Sequence, residues 1–294
     1  MTDTAIASAP PADRARTGRM IVYAVVFAIG LALAFAPFLF QDVRSSQVAA
    51  RICVFIVLAA SYDLLIGYTG IVSFAHTMFF GLGAYGAAIA LKGMGPGWSA
   101  VLVGGGAGAV AAIVLAVLIG VLSLRVKAIF FAMVTLAAAS VMMVLASQFS
   151  QFTGGEDGMQ RIPRTEIFGF IDLSDNFSFY YFVLAVTVLS IAFFYRVVHS
   201  PFGEVLKAIR DNEPRVESLG FKPDRYKLVA MTLSAGMAGL AGGLKATVFQ
   251  FATLTDVSWH VSGEVIFMTL LGGLGTLTGP MVGAGIVIGL NDHL

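Results

Sequence analysis

Apolar runs of about 20 residues, each long enough to cross the hydrocarbon core of a bilayer, recur along this chain and leave it few architectures. They fall near 20–40, 51–67, 71–91, 98–124, 128–148, 179–198, 228–251 and 261–290. A spanning segment must satisfy its own backbone groups, so only helices and closed barrels cross lipid. A barrel would show short alternating segments instead. The reading is therefore an all-α polytopic membrane protein of about eight transmembrane helices. Only 12% of the 294 residues are charged, against roughly 25% in soluble domains. The 33 glycines suit helices that approach closely where no hydrophobic drive brings them together.

The basic residues set an orientation. Residues 1–19 are Ala/Pro-rich, carry Arg14, Arg16 and Arg19, and read as a disordered cytoplasmic tail. The run at 20–40 is too long for a signal peptide and lacks a small-x-small cleavage site, so it reads as a retained span. Residues 20–294 then form one transmembrane domain. With the N-terminus inside, Arg125 and Lys127 fall in the cytoplasm, as do Arg196, Lys207, Arg210, Arg215, Lys222, Arg225 and Lys227. The polar loop 149–177 carries Glu156, Asp157, Glu166, Asp172 and Asp175 against Arg161 and Arg164, and it falls outside the cell.

Residues 200–224 are the longest polar stretch with helical order. Ser200 suits an N-cap and Pro201 a first turn. Val205, Leu206 and Ile209 form one apolar stripe, with Glu204, Lys207, Arg210 and Asp211 mostly off it. Pro214 should break this helix and Gly220 end the turn that follows. By itself the pattern fits an interfacial helix lying on the bilayer and a docking element for a soluble partner equally well.

Catalytic signatures are missing from the sequence. Gly81-Leu82-Gly83-Ala84-Tyr85-Gly86 has the spacing of a dinucleotide loop, but it lies inside an apolar span with no preceding strand and no acidic residue about 20 positions on. It reads as close helix packing, as do Gly104/Gly108, Gly239/Gly243, Gly279/Gly283 and Gly285/Gly289. No Walker A lysine motif, H-E-x-x-H or G-x-S-x-G occurs, and His76, His199, His260 and His293 are scattered. The lone Cys53 rules out an internal disulfide. No metal site, cofactor or nucleic-acid partner is expected of the chain. Asn176-Phe177-Ser178 matches a short glycosylation pattern of low weight.

Polar residues inside spans mark the remaining candidates: Asp63, Ser73, His76 and Glu264. Tyr68-Thr69-Gly70-Ile71-Val72-Ser73 mixes glycine with hydroxyls at a span boundary. Unwound backbone at membrane depth survives only where protein or a water-filled cavity satisfies it. Residues 67–76 and the Gly/Pro-rich 272–280 are therefore the two candidate broken or re-entrant segments, the pattern of transporters with internal repeats. The candidate substrate path comprises Tyr68, Thr69, Gly70, Ser73, His76, Glu264, Gly272 and Gly273. Whether 261–290 is one long span or two half-helices stays open. So does an ion-driven secondary transporter with Asp63 or Glu264 as the coupling carboxylate.

Several stretches together resemble the permease subunits of branched-chain amino acid ABC importers, in particular the second of the two paired permeases. They are Gly67-Tyr68-Thr69-Gly70 with Val72-Ser73-Phe74-Ala75-His76, Phe79-Phe80-Gly81-Leu82-Gly83-Ala84-Tyr85, and Thr153-Gly154-Gly155-Glu156-Asp157-Gly158 followed by Pro163. Ser200-Pro201-Phe202-Gly203, Lys207-Ala208-Ile209-Arg210-Asp211-Asn212-Glu213, Ser218-Leu219-Gly220, Leu271-Gly272-Gly273-Leu274-Gly275 and Gly279-Pro280 complete the set.

The resemblance implies a multi-pass permease of the bacterial inner membrane. Its implied partners are a second homologous permease, two ATP-binding cassette subunits that bind ATP and Mg, and an extracytoplasmic substrate-binding protein. It makes 200–224 a cytoplasmic coupling loop, with Gly203, Glu204, Val205, Leu206, Lys207, Ala208, Ile209, Arg210, Asp211, Asn212 and Glu213 at the ATPase. The apolar stripe would enter a cleft on that subunit. Gly154, Gly155, Glu156 and Asp157 become the candidate contact for the binding protein. Relatives also carry amides or urea, and these residues do not separate the cargoes. Members continue past the Gly-Pro region into a further span with a basic tail, whereas this chain ends at Asn291-Asp292-His293-Leu294. A truncated product, a fragment and a naturally short member are the alternatives.

Overall fold

A computed structural model of the chain describes residues 28–32, 35, 43–95, 97–123, 128–163, 166–167, 171–172 and 176–293. The expected tail at 1–19 and most of the first expected span lie outside them; 28–32 and 35 are helical. Nine helices of 14 residues or more organise the rest: α1 (Val43–Thr69), α2 (His76–Met94), α3 (Trp98–Ser123), α4 (Ala128–Gln148), α5 (Asn176–Val198), α6 (Pro201–Ser218), α7 (Pro223–Phe249), α8 (Trp259–Gly272) and α9 (Gly279–His293). Two-residue strands β1 (Glu166–Ile167) and β2 (Ile171–Asp172) pair antiparallel within the loop before α5. The all-α membrane class stands. Five described helices are long and apolar enough to span, namely α1, α3, α4, α5 and α7, so the described residues do not reach the expected eight.

Helix α1 begins at Val43, eight residues before the expected 51, and two further boundaries differ for local reasons. The span expected from residue 71 begins as a helix only at His76, because 71–75 are not helical. The span expected from 228 begins at Pro223, where proline at the first position needs no hydrogen-bonded N–H.

Packing sorts the helices into centre and periphery. The apolar window of α1 is 83% buried and that of α7 61%, against 22% for α4. Helices α2, α3 and α7 pack on one another, and α1 lies against α5, α7, α8 and α9. Glycine makes this approach possible. A β-carbon on Gly83 would overlap the Gly239 carbonyl oxygen, and one on Gly242 that of Phe80. At Gly86 it would lie 2.9 Å from both Gly104 O and Gly108 Cα. Gly104, Gly108, Gly239 and Gly283 are thus packing residues, as the small-residue spacing predicts, whereas Gly285 and Gly289 face open space.

The open question at 261–290 resolves as two short helices. Helices α8 and α9, of 14 and 15 residues, are each about 21–23 Å long, short of the roughly 30 Å core. They pack as a hairpin. Gly273 (φ 103°) and Gly275 (φ 71°) turn the chain in the left-handed region between them. The tip of this hairpin, the last turn of α1 and α6 meet at one end of the bundle. The C-terminal end of α7, the segment 250–258 and the Thr153–Ile162 loop meet at the other, joined by the Met159–Ala252 bridge and by Ile162 N donating to Gln250 O.

Candidate functional site

Helix α6 forms as its sequence predicts. Ser200 Oγ accepts from Gly203 N (3.4 Å), and Pro201 occupies the first turn. A β-carbon on Gly203 would overlap Val198 O, so glycine lets α6 fold back tightly under α5. The helix kinks at Asn212 (φ −161°, ψ 91°), two residues before Pro214. Asn212 Oδ1 then accepts from Arg215 N (3.1 Å), capping a second turn that tolerates Pro214 near its start. Leu219 N, Gly220 N and Phe221 N close that turn, with Gly220 at φ 89°.

The apolar stripe of α6 points the opposite way from the one inferred by resemblance. Leu206 and Ile209 are buried within the chain, and Val205 is half-buried. Leu206 packs with Ala60, Leu64 and Tyr68 of α1, Phe194 and Val198 of α5, and Ala230 of α7. The ends of those helices already expose apolar carbon, so the stripe buries there and α6 becomes part of the bundle. Gly203 is buried too. The surface left outward is polar: Glu204, Ala208, Asp211, Asn212 and Arg215 are exposed. Lys207 pairs with Glu204 at 2.8 Å and stands 5.9 Å from the Tyr68 ring centroid. Glu213 pairs with Lys227 of α7.

Arg210 joins the two candidate broken segments. Its Nη1 donates to the Gly67 carbonyl in the last turn of α1, where helix carbonyls lack intrahelical partners. Its Nε and Nη2 reach Asp211 Oδ1, each at 3.4 Å. A β-carbon on Gly70 (φ 74°) would meet Arg210 Cγ at 3.3 Å, and one on Gly275 would meet Arg210 Nη1 at 2.8 Å. Asp63 Oδ1 accepts from Gly275 N at 2.9 Å, while its Oδ2 is buried without a partner among the described residues. The end of α1, the α8–α9 tip and α6 therefore share one junction.

Residues 71–75 fold back alongside α1, and protein hydroxyls satisfy their backbone. Ser73 N donates to Tyr62 Oη (3.3 Å), Phe74 N to Thr135 Oγ1 (3.1 Å), and Ala75 N to Ser73 Oγ (3.3 Å). Ser262 of α8 accepts from Thr77 N (3.2 Å) and donates to Phe74 O (2.9 Å). Ser61 Oγ donates to Leu58 O and lies 2.7 Å from His76 Nε2, which assigns the ring proton to Nε2. Of the candidate path, Tyr68, Thr69, Ser73 and His76 are buried in packing, Gly272 and Gly273 are half-buried at the hairpin tip, and Gly70 and Glu264 are exposed.

At the opposite end Gly154, Gly155 and Gly158 all have positive φ. β-carbons on Gly154 and Gly158 would overlap the carbonyl oxygens of Gly158 and Ala252, so this loop needs glycine there for space as well as conformation. Its turn carries Glu156 and Asp157 outward, while Gly155 is buried.

Beside it lies a recess of about 520 Å³, lined among others by Arg51, Lys245, Asp256 and Glu264. The first three escaped the sequence reading. Lys245 carried the signal, as a lysine within an apolar span. Its ion pair with Asp256 (2.7 Å) is almost completely buried.

A family model described as the permease component of the branched-chain amino acid transport system matches residues 45–294. The chain is 28% identical over 267 residues to the high-affinity branched-chain amino acid transport system permease protein LivM of Salmonella typhimurium, covering 83% of this chain and 62% of that one. It is 29% identical over 253 residues to LivM of Escherichia coli, covering 78% and 59%. With the permease protein LivH of Escherichia coli it shares 24% identity over 258 residues, 81% and 80% of the two chains. The chain thus spans about three fifths of the length of the two LivM relatives. No solved structure matches.

Proposed function

The chain belongs to the family of branched-chain amino acid transport system permease components, and from that membership we propose that it is one membrane-spanning half of a binding-protein-dependent ABC importer moving branched-chain amino acids into the cytoplasm. It is a multi-pass inner-membrane protein. A homologous permease forms the other half. Two ATP-binding cassette subunits bind ATP and Mg and supply the energy, and an extracytoplasmic binding protein delivers substrate onto the loop that carries Glu156 and Asp157.

One observation carries this reading. A polar helix between two spans is fixed by Leu206 and Arg210 to the end of α1 and the α8–α9 tip, while its charged face stays exposed. An ATPase gripping Glu204, Ala208, Asp211, Asn212 and Arg215 would move α6 as a lever. Gly67, Gly70 and Gly275 would move with it, and Asp63 would pass the displacement to the packed interior. A bistable element biased from two sites is what such coupling needs.

The test is a mild-detergent pull-down of the chain from its native membrane, with mass spectrometry of what accompanies it. A second permease with P-loop ATPases supports the importer. A lone homo-oligomer, alongside a control complex that survives the same detergent, contradicts it. Uptake of leucine, isoleucine and valine against amides and urea then fixes the cargo.

A further inference from the structure

The recess at the end of the bundle opposite α6 contains groups of both charges in an aromatic setting. Lys245 and Asp256 satisfy each other. Lys245 Nζ also donates to Phe251 O (3.2 Å) and lies 3.9 Å from the Phe251 ring centroid. Asp256 Oδ2 also accepts from Thr253 N (2.9 Å). Arg51 and Glu264 are different. Both line the recess, and neither makes a hydrogen bond or ion pair with another described residue. The Arg51 guanidinium lies 5.8 Å from the Phe55 ring centroid. Phe80 and Phe249 complete an apolar wall.

We propose that this recess receives an amino acid zwitterion, with Arg51 holding the α-carboxylate, Glu264 the α-ammonium, and the phenylalanine wall an apolar side chain. Arg51 is half-buried and Glu264 is exposed at the rim, and a zwitterion offers each of these two unpaired charges a counter-charge at once. A plain anion or cation leaves one of them unmet. The volume lies in the range of small-molecule pockets, which are mostly apolar with a few placed polar groups. The Lys245–Asp256 pair, each the other's counter-ion, holds α7 against the 253–258 segment and so fixes the wall. This inference rests on the reading of the chain as an amino acid permease, and it places the reception site at the end away from the ATPase.

The test uses the complex of this chain with its partner subunits in nanodiscs, with radiolabelled leucine, 4-methylpentanoate (no ammonium) and 3-methylbutylamine (no carboxylate) as probes. Wild type should bind leucine about tenfold or more tighter than either analogue. Glu264→Gln should lose about tenfold for leucine and nothing for 4-methylpentanoate. Arg51→Gln should lose about tenfold for leucine and nothing for 3-methylbutylamine, with partial recovery in Arg51→Lys.

Leucine binding at wild-type strength in both Gln variants overturns the proposal. Competition by phosphatidylethanolamine, with no response of leucine binding to either variant, overturns it in favour of a lipid headgroup. Leucine uptake by proteoliposomes separates the two levels. If wild type and both variants take up leucine with equal apparent KM, only the recess assignment falls. If wild type takes up none, the cargo reading falls as well.

Discussion

Replacing Arg210 by alanine should uncouple transport without dissolving the complex. The substitution removes the guanidinium donated to Gly67 O and the stem packed beside Gly70. A hydrogen bond from a charged group contributes about 1.5–3 kcal/mol. The side chain is 40% exposed, so solvent screening reduces this to about 1–2 kcal/mol. That corresponds to a factor of about 5–30 in the population of α6 held against α1. Uptake per assembled complex should fall by a factor in that range in proteoliposomes supplied with ATP. Co-purification of the ATPase should persist, because Glu204, Ala208, Asp211, Asn212 and Arg215 of the outward face remain. Arg210→Glu should be worse, since it points a carboxylate at a helix C-terminus and sits beside Asp211. Wild-type uptake by Arg210→Ala would refute the reasoning. Loss of the ATPase from Arg210→Ala would make Arg210 a docking residue rather than a link within the chain.

Three further outcomes follow from the same geometry. Ser262→Ala should destabilise the chain by about 1–3 kcal/mol, because Thr77 N and Phe74 O lose a shared partner inside the bundle; a lowered thermal midpoint in detergent would show it. Asp63→Asn keeps an oxygen for Gly275 N and should transport within about twofold of wild type, whereas Asp63→Ala should not. An ion-coupling carboxylate would instead make Asn as damaging as Ala, so uptake by the pair decides between them. Gly83→Val forces a side chain into the Gly239 carbonyl and should cost at least about 2 kcal/mol, read as lost folded yield and an earlier melting transition.

Helix positions were legible because apolar run length is set by the bilayer. The expected 128–148 span is α4 to the residue, and α3 fills the described part of the expected 98–124. Glycine spacing showed where helices touch at Gly83, Gly104, Gly108 and Gly239. It failed at Gly285 and Gly289, since a small residue permits close approach without supplying a neighbour. The direction of the α6 stripe was not legible. Val205, Leu206 and Ile209 show that one face is buried, and only the positions of the α1, α5 and α7 ends show against what. The junction of Asp63, Gly67, Arg210 and Gly275 was also beyond the sequence as a unit. Its members came up separately, and their meeting depends on contacts more than 140 positions apart. Lys245 was readable as a lysine within an apolar span, but its pairing with Asp256 was not, because Asp256 lies beyond the end of that helix, in the turn 254–257.

The central claim is that the outward face of α6 is held by an ATPase. Ala208 sits on that face, and Cys53, the sole cysteine, is fully buried. An Ala208→Cys variant labelled with a thiol-reactive photo-crosslinker therefore reports from one position in a native membrane. The account predicts one dominant product, in which mass spectrometry identifies a P-loop ATPase joined at position 208. Cross-links to lipid alone, in membranes whose labelled chain still supports uptake, would contradict it.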